Sequence, residues 1–198
     1  LTVLHGIENI MIPLCLVRFG LTNTQSLSIY GIYSGMALPM IFFPTVLSNS
    51  IAVMLLPSIS RAKEEGRNYY IRHSITVGFF LCMFLGFLCS FFFYFFSPLI
   101  GQKIFANEVA GIYIRTLSWL CPFLFLGTTM NSILNGLGNV KDTFFNSMTG
   151  ALIRLAFIFF GIPLYGFRAF LLGVLCSQLV SAFMAYLRLL SITCKKNA

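Results

Sequence analysis

Apolar residues run along the chain in six long blocks, at about 1–19, 28–58, 74–97, 111–136, 143–164 and 167–190, with short polar stretches between them. About 20 consecutive apolar residues cross a bilayer as a helix. The last five blocks reach that length, and the first begins inside an apolar stretch. The pattern predicts an all-α integral membrane protein, with residues 1–198 forming one six-helix unit. The block 28–58 is too long for a single straight span: 31 helical residues extend roughly 46 Å. It holds Pro39, Pro44 and Pro57, and a proline inside a helix removes a hydrogen bond and bends the axis. Pro39 and Pro44, in "GMALPMIFFPTVLSNS", are the hinge candidates.

Four blocks carry small or polar residues at helical spacing, and such faces turn toward other helices or water. Gly78, Cys82, Gly86 and Ser90 form one stripe, and Gly173, Ser177, Ser181 and Ala185 another. Both are expected to pack helix on helix, leaving the phenylalanines of "SFFFYFF" to lipid. Thr128, Asn131, Ser132 and Asn135 cluster on the fourth block as packing groups or cavity lining. Gly31, Gly35, Thr45 and Asn49 share a face of the second.

The fifth block raises the sharpest question. Asn146, Gly150 and Arg154 fall on one face at i, i+4 and i+8, and Arg154 lies about 16 Å along the helix from residue 143, near mid-bilayer. An arginine at that depth costs on the order of 2.5–3.5 kcal/mol on insertion scales. It is expected to face a wet cavity or to pair with an acid. Asp142 is too far along the same helix, Glu64 and Glu65 lie in a connection, and Glu108 lies beyond the opposite end. Only Glu8, in the first block beside His5, is intramembrane. A Glu8–Arg154 pair reads either as a structural ion pair or as part of a polar cavity for an anionic or polyhydroxylated group. The substrate-cavity candidates are Arg154, Glu8, Asn49, Asn131, Asn135 and Asn146.

Composition agrees with a membrane chain: 58% hydrophobic residues, 23 of them Phe, and 9% charged. The net charge of +8 is distributed between the blocks rather than gathered in a patch, so it reads as a topology signal and not as a nucleic-acid surface. Arg61, Lys63, Arg67, Arg72, Lys141, Arg188, Lys195 and Lys196 fall on one side, against Arg18, Lys103, Arg115 and Arg168 on the other. The first side is expected to be cytoplasmic, with the amino terminus of the chain and the loop 59–73. Cys15, Cys82, Cys89, Cys121 and Cys176 sit in apolar runs as packing residues; Cys194 beside Lys195 is a weaker lipidation candidate. The terminal "KKNA" also fits a dilysine retrieval pattern, which an exposed basic stretch explains more simply. No glycine-rich phosphate loop, HExxH or Ser/His/Asp signature is present, so the chain does not read as an enzyme; no cofactor and no metal are expected.

"YGIYSGMALPMIFFPTVLSNSIAVMLLPSISRAKEEGRN", with its "LLPSIS" ending, resembles the second helix of the carboxy-terminal lobe of the stage V sporulation protein B and polysaccharide flippase family. That family lies within the multidrug/oligosaccharidyl-lipid/polysaccharide exporter superfamily. "IENIMIPLCLVRFG" resembles the preceding helix, and "NSILNGLGNVKDTFFNSMTGALIRLAFIFFGIPLYGFRAFLLGVLCSQLVSAFMAYL" the last three helices of that lobe. The resemblance implies one lobe of a two-lobe, V-shaped transporter in the bacterial cell membrane, working by alternating access around a midplane site. It implies a lipid-linked oligosaccharide or peptidoglycan precursor as substrate, with spore cortex formation as a setting. The pyrophosphate of such a substrate suits Arg154. The amino-terminal lobe and two further helices of sporulation protein B are not represented, so transport is expected to need a second lobe or a dimer. Two other readings stay open: a cation-coupled multidrug exporter of the same fold, and a non-transporting membrane scaffold for cell-wall assembly.

Overall fold

The computed structural model describes residues 2–195, with the side chains of residues 193–195 outside the description. The dilysine stretch and the Cys194 side chain therefore lie outside the described residues. Everything regular in the described chain is helical: α1 (Thr2–Arg18), α2 (Asn23–Phe42), α3 (Thr45–Glu64), α4 (Asn68–Ile104), α5 (Glu108–Gly136), α6 (Val140–Tyr165) and α7 (Phe167–Lys195). The connections are tight. Thr22 caps α2 through a reciprocal pair with Gln25, and Asn107 caps α5 by accepting from the Val109 and Ala110 amides.

Four helices, α4 to α7, are long and apolar enough to cross a membrane, and the pair α2 and α3, bent by 52°, adds a fifth if the two are counted as one broken span. This is a multi-pass membrane fold. The sequence predicts six spans; length and apolarity single out four or five among the described residues, and α1, with 17 described residues, is not among them. The loop expected over 59–73 is also shorter than its polarity suggested. α3 continues to Glu64 and α4 begins at Asn68, so most of that stretch is helix. Charged residues end a hydrophobic block, but they do not end a helix, because Arg, Lys and Glu are good helix formers.

The bend is local. Pro44 has no N–H to offer the Met40 carbonyl, α2 stops at Phe42 and α3 restarts at Thr45. Pro39 sits differently. It follows a widened π turn at Tyr33–Ala37, in which the Leu38 N–H reaches back to the Tyr33 carbonyl. Similar π turns occur at Ile100–Ile104, just past Pro98, and at Phe157–Gly161, just before Pro163. Each places extra backbone in a helix near a proline.

α5 is the central helix and the most buried of the spans. The stripe on α4 packs against it. A Cβ on Gly86 would stand 2.3 Å from the Pro122 Cα, and the Cys82 thiol donates to the Thr129 hydroxyl at 3.1 Å. On the other side Thr128 donates to the Ser48 hydroxyl at 3.2 Å and Ser132 to the Ala52 carbonyl at 2.6 Å, tying α5 to α3. The α7 stripe packs on α6: Gly173 lies under the Phe157 ring, and Gly150 faces Ser177 and Ser181. Gly31 and Gly35 differ, since nothing lies within 4 Å of a Cβ added at either, so they mark no helix contact. The phenylalanines Phe80, Phe84, Phe91 and Phe95 of α4 point outward, as a lipid-facing surface requires.

Two apolar clusters result. One, at the end near Arg18 and Phe167, includes Leu16, Tyr33, Ile41, Phe125 and Ile158. The other, at the end near Glu64 and Gly136, is built from α3, α4, α5 and α7, with Ile59, Ile75, Met130, Ile133 and Leu189. No buried residue of α1 or α6 belongs to the second cluster. On that half of α6 the inward face is polar instead.

Candidate functional site

That polar face begins with Arg154. It stands about 21 Å along α6 from Val140 and about 16 Å from Tyr165, well inside the span. Its Nε donates to both carboxylate oxygens of Glu8 on α1, at 3.1 and 3.3 Å. The pair is well covered: the side chains are 13% and 8% exposed. At that exposure neither charge is fully hydrated, so each is stabilised chiefly by the other. His5, one turn before Glu8 on α1, brings its Nδ1 to 3.2 Å from the second carboxylate oxygen. Glu8 thus holds two contacts, one from a permanent cation and one from a titratable ring.

The pair borders a cleft of about 210 Å³ between α1, α5, α6 and α7. His5, Asn131, Ser147, Arg154, Gln178 and Ser181 supply most of its wall. Gly150 completes it, and its missing side chain keeps α6 close to the Ser177 carbonyl and the Ser181 Cβ, each 3.6 Å from where a Cβ would stand. The two terminal nitrogens of the Arg154 guanidinium have no hydrogen-bond acceptor among the described residues. Among the described residues no buried side-chain nitrogen or oxygen lacks a partner, so these nitrogens are accessible, and Arg154 borders the cleft. The arrangement is a guanidinium tethered by one edge to an internal carboxylate, with its other edge turned to a polar space. Such an edge takes two oxygens of a carboxylate or phosphate.

The structure brings some of the sequence candidates together and separates others. Arg154 and Asn131 line the cleft, Glu8 is buried behind Arg154 as its ion-pair partner, and Asn146 is buried with its amide 3.5 Å from the Asn131 oxygen. Asn135 is used between helices: it accepts from the Thr143 hydroxyl at 2.9 Å and does not line the cleft. Asn49 is exposed on α3 and lies outside the cleft as well. Ser177 and Ser181, read from sequence as packing residues, do both jobs, because their stripe packs on Gly150 and also closes the cleft. His5, Ser147 and Gln178 were not singled out. The signal for two of them was present: His5 is i−3 from Glu8, and Ser147 is i−7 from Arg154, two turns along the same face. Among the described residues no group of His, Cys, Asp and Glu is arranged to hold a metal ion.

Comparison with known proteins gives the family. Residues 7–160 match the MatE family. The chain is similar to stage V sporulation protein B of Bacillus subtilis (strain 168), 20% identical over 152 residues, which is 77% of this chain and 29% of that protein. It is similar also to sporulation protein YkvU of the same organism, 22% identical over 157 residues, 79% of this chain and 35% of that protein. The chain spans about a third of the length of these curated relatives. No solved structure matches it. With the family match covering most of the chain, including both members of the buried ion pair, the chain belongs to the MatE family.

Proposed function

We propose that this chain supplies one lobe of a flippase that moves a lipid-linked oligosaccharide or peptidoglycan precursor across the cytoplasmic membrane by alternating access, in a sporulating bacterium. The observation that carries the reading is the Arg154 guanidinium, held at mid-membrane by Glu8 with two nitrogens open to a polar cleft. In this reading the open edge receives a pyrophosphate oxygen, and Glu8 is an internal anion that the substrate partly displaces. The exchange keeps the guanidinium paired at every stage, which lowers the cost of its depth. The names of both relatives tie them to sporulation, and that supports the setting.

Size limits what the cleft holds. Ligand pockets for whole drug-sized molecules run from roughly 300 to 1,000 Å³. At about 210 Å³ this one suits the pyrophosphate and not the sugars. The sugar head then occupies space between this lobe and an opposing one, supplied by another part of the protein or by a second copy. The end bearing Lys63, Arg72 and Lys141 faces the cytoplasm in this reading, from the excess of positive charge there.

The test places a cysteine at Ser147 in a background where the six native cysteines are replaced, leaving Arg154 in place. A membrane-impermeant thiol reagent should label it, and a polyprenyl-pyrophosphate-linked disaccharide should protect it. No labelling from either side, or labelling that this lipid leaves unchanged, overturns the assignment and makes Glu8–Arg154 a structural pair.

A further inference from the structure

The Arg154 cleft holds a second group able to carry positive charge. His5 and Arg154 meet the same atom: Glu8 Oε2 lies 3.2 Å from His5 Nδ1 and 3.3 Å from Arg154 Nε. A carboxylate oxygen only accepts, so Nδ1 is the ring nitrogen that carries a hydrogen. Nε2, on the far side of the ring, has no partner among the described residues. The ring is open where the carboxylate is not: the His5 side chain is 57% exposed against 8% for Glu8, and His5 lines the cleft. Glu8 therefore anchors two groups whose free edges border one small polar space.

Charge decides what that space accepts. Arg154 and Glu8 cancel, and the remaining wall of Asn131, Ser147, Gln178 and Ser181 brings amides and hydroxyls without charge. A neutral His5 ring presents a lone pair at Nε2, which repels an incoming anion. The same ring with a proton on Nε2 donates instead. That imidazolium keeps Glu8 as its counter-charge through Nδ1, and an anion beside it favours the charged form. The other titratable groups here are Tyr30 and Tyr33 of α2, within electrostatic reach of Glu8. α5 and α7 bring no titratable group to the cleft wall.

We propose that His5 is the second anion-binding residue of this cleft, donating to the ligand from a protonated Nε2 while Nδ1 stays on Glu8, so that the anion and one proton bind together. The inference rests on the reading of Arg154 as a pyrophosphate site and deepens it. A pyrophosphate diester brings two negative charges to a cleft whose permanent charges already cancel. The proton on His5 offsets one of them, so the site favours doubly over singly charged phosphoryl groups. The proton comes from solvent; Glu8 and Arg154 keep their charges.

Isothermal titration calorimetry of the chain in neutral detergent tests this, with a short-chain polyprenyl-pyrophosphate-linked disaccharide as the probe. Its pyrophosphate diester does not titrate near neutrality, so a proton taken up belongs to the protein. Binding at pH 8 should take up close to one proton, read from the heats in two buffers of different ionisation enthalpy. Because the bound state holds the extra proton, affinity should rise about fivefold from pH 8 to pH 7. His5→Gln keeps an amide donor for Glu8 but cannot titrate, and should bind weakly at both pH values with no proton taken up. Arg154→Met should lose binding altogether. The uptake is measured on the unsubstituted chain, so a poorly folding variant leaves the test standing. Binding that needs Arg154 but takes up no proton overturns the role of His5 and leaves the Arg154 reading intact. Uptake that persists in His5→Gln also overturns it and moves the proton to Glu8. No binding by the unsubstituted chain, or binding indifferent to Arg154→Met, removes the pyrophosphate reading and this inference with it.

Discussion

Arg154 and Glu8, 146 residues apart in sequence, meet with one guanidinium nitrogen 3.1 and 3.3 Å from the two carboxylate oxygens. The contact joins α1 to α6, beside the cleft that His5 of α1 and Ser147 of α6 also line. It also settles where the depth of an intramembrane arginine is compensated.

Breaking that pair from one side should be costly. Removing one partner of a buried ion pair destabilises by about 3–5 kcal/mol, because the other charge is left uncompensated. Glu8→Gln and Arg154→Met should each fall in that range, measured by denaturant unfolding in micelles. Glu8→Leu combined with Arg154→Met should recover most of the loss. Losses that simply add would show that the two residues do not act as a unit.

Transport separates from stability at the cleft. Ser147→Leu fills space in the cleft beside Arg154 without touching the ion pair. Thermal stability should change little, while flipping by the intact transporter falls at least about tenfold, the loss of one good charge-assisted contact. Normal flipping with the cleft filled would move the substrate site elsewhere.

Glycines divide by what surrounds them. Gly86→Ala places a methyl against the Pro122 backbone, 2.3 Å from its Cα, so α4 and α5 must separate. Overpacking of this kind costs about 1–3 kcal/mol. Gly31→Ala meets nothing within 4 Å in an ordinary helical stretch, and should stabilise by up to about 1 kcal/mol through backbone entropy. Melting temperatures should move in opposite directions for the two variants.

The bend belongs to Pro44 and not to Pro39. Pro44→Ala restores a donor for the Met40 carbonyl, and α2 and α3 should approach a straight line from their 52° bend. With a rise of 1.5 Å per residue, the distance between spin labels at Gln25 and Arg61 should grow by about 5 Å. Pro39→Ala should leave it unchanged, because the π turn at Tyr33–Ala37 already absorbs that proline. An unchanged distance in Pro44→Ala would assign the bend to packing against α5.

Much of this was legible because membrane segments write their rules plainly. The stripe of Gly78, Cys82, Gly86 and Ser90 named its own packing face, and an acid-poor chain left Arg154 one intramembrane partner in Glu8. Other features were hidden for physical reasons. A π turn adds a residue to a helix without changing its hydrophobicity, so the three near Pro39, Pro98 and Pro163 carry no compositional mark. Asn49 and Asn135 look like Asn131 in sequence, yet Asn49 sits on an exposed face of α3 and Asn135 lies one turn beyond Asn131 on α5, where it meets Thr143, so neither lines the cleft. Gln178 left no pattern at all, since its neighbours on α7 alternate between lipid and α6.

The long sequence separation of the ion pair has a consequence for how the protein is made. α1 leaves the ribosome 146 residues ahead of the arginine that pairs with its carboxylate. At about 5–20 residues per second, α1 waits on the order of ten seconds before its partner exists. Through that interval the Glu8 carboxylate relies on water at the insertion channel and on His5, one turn earlier. Arrival of α6 then releases the carboxylate from that temporary state, so closure of the bundle is recorded at a single residue pair.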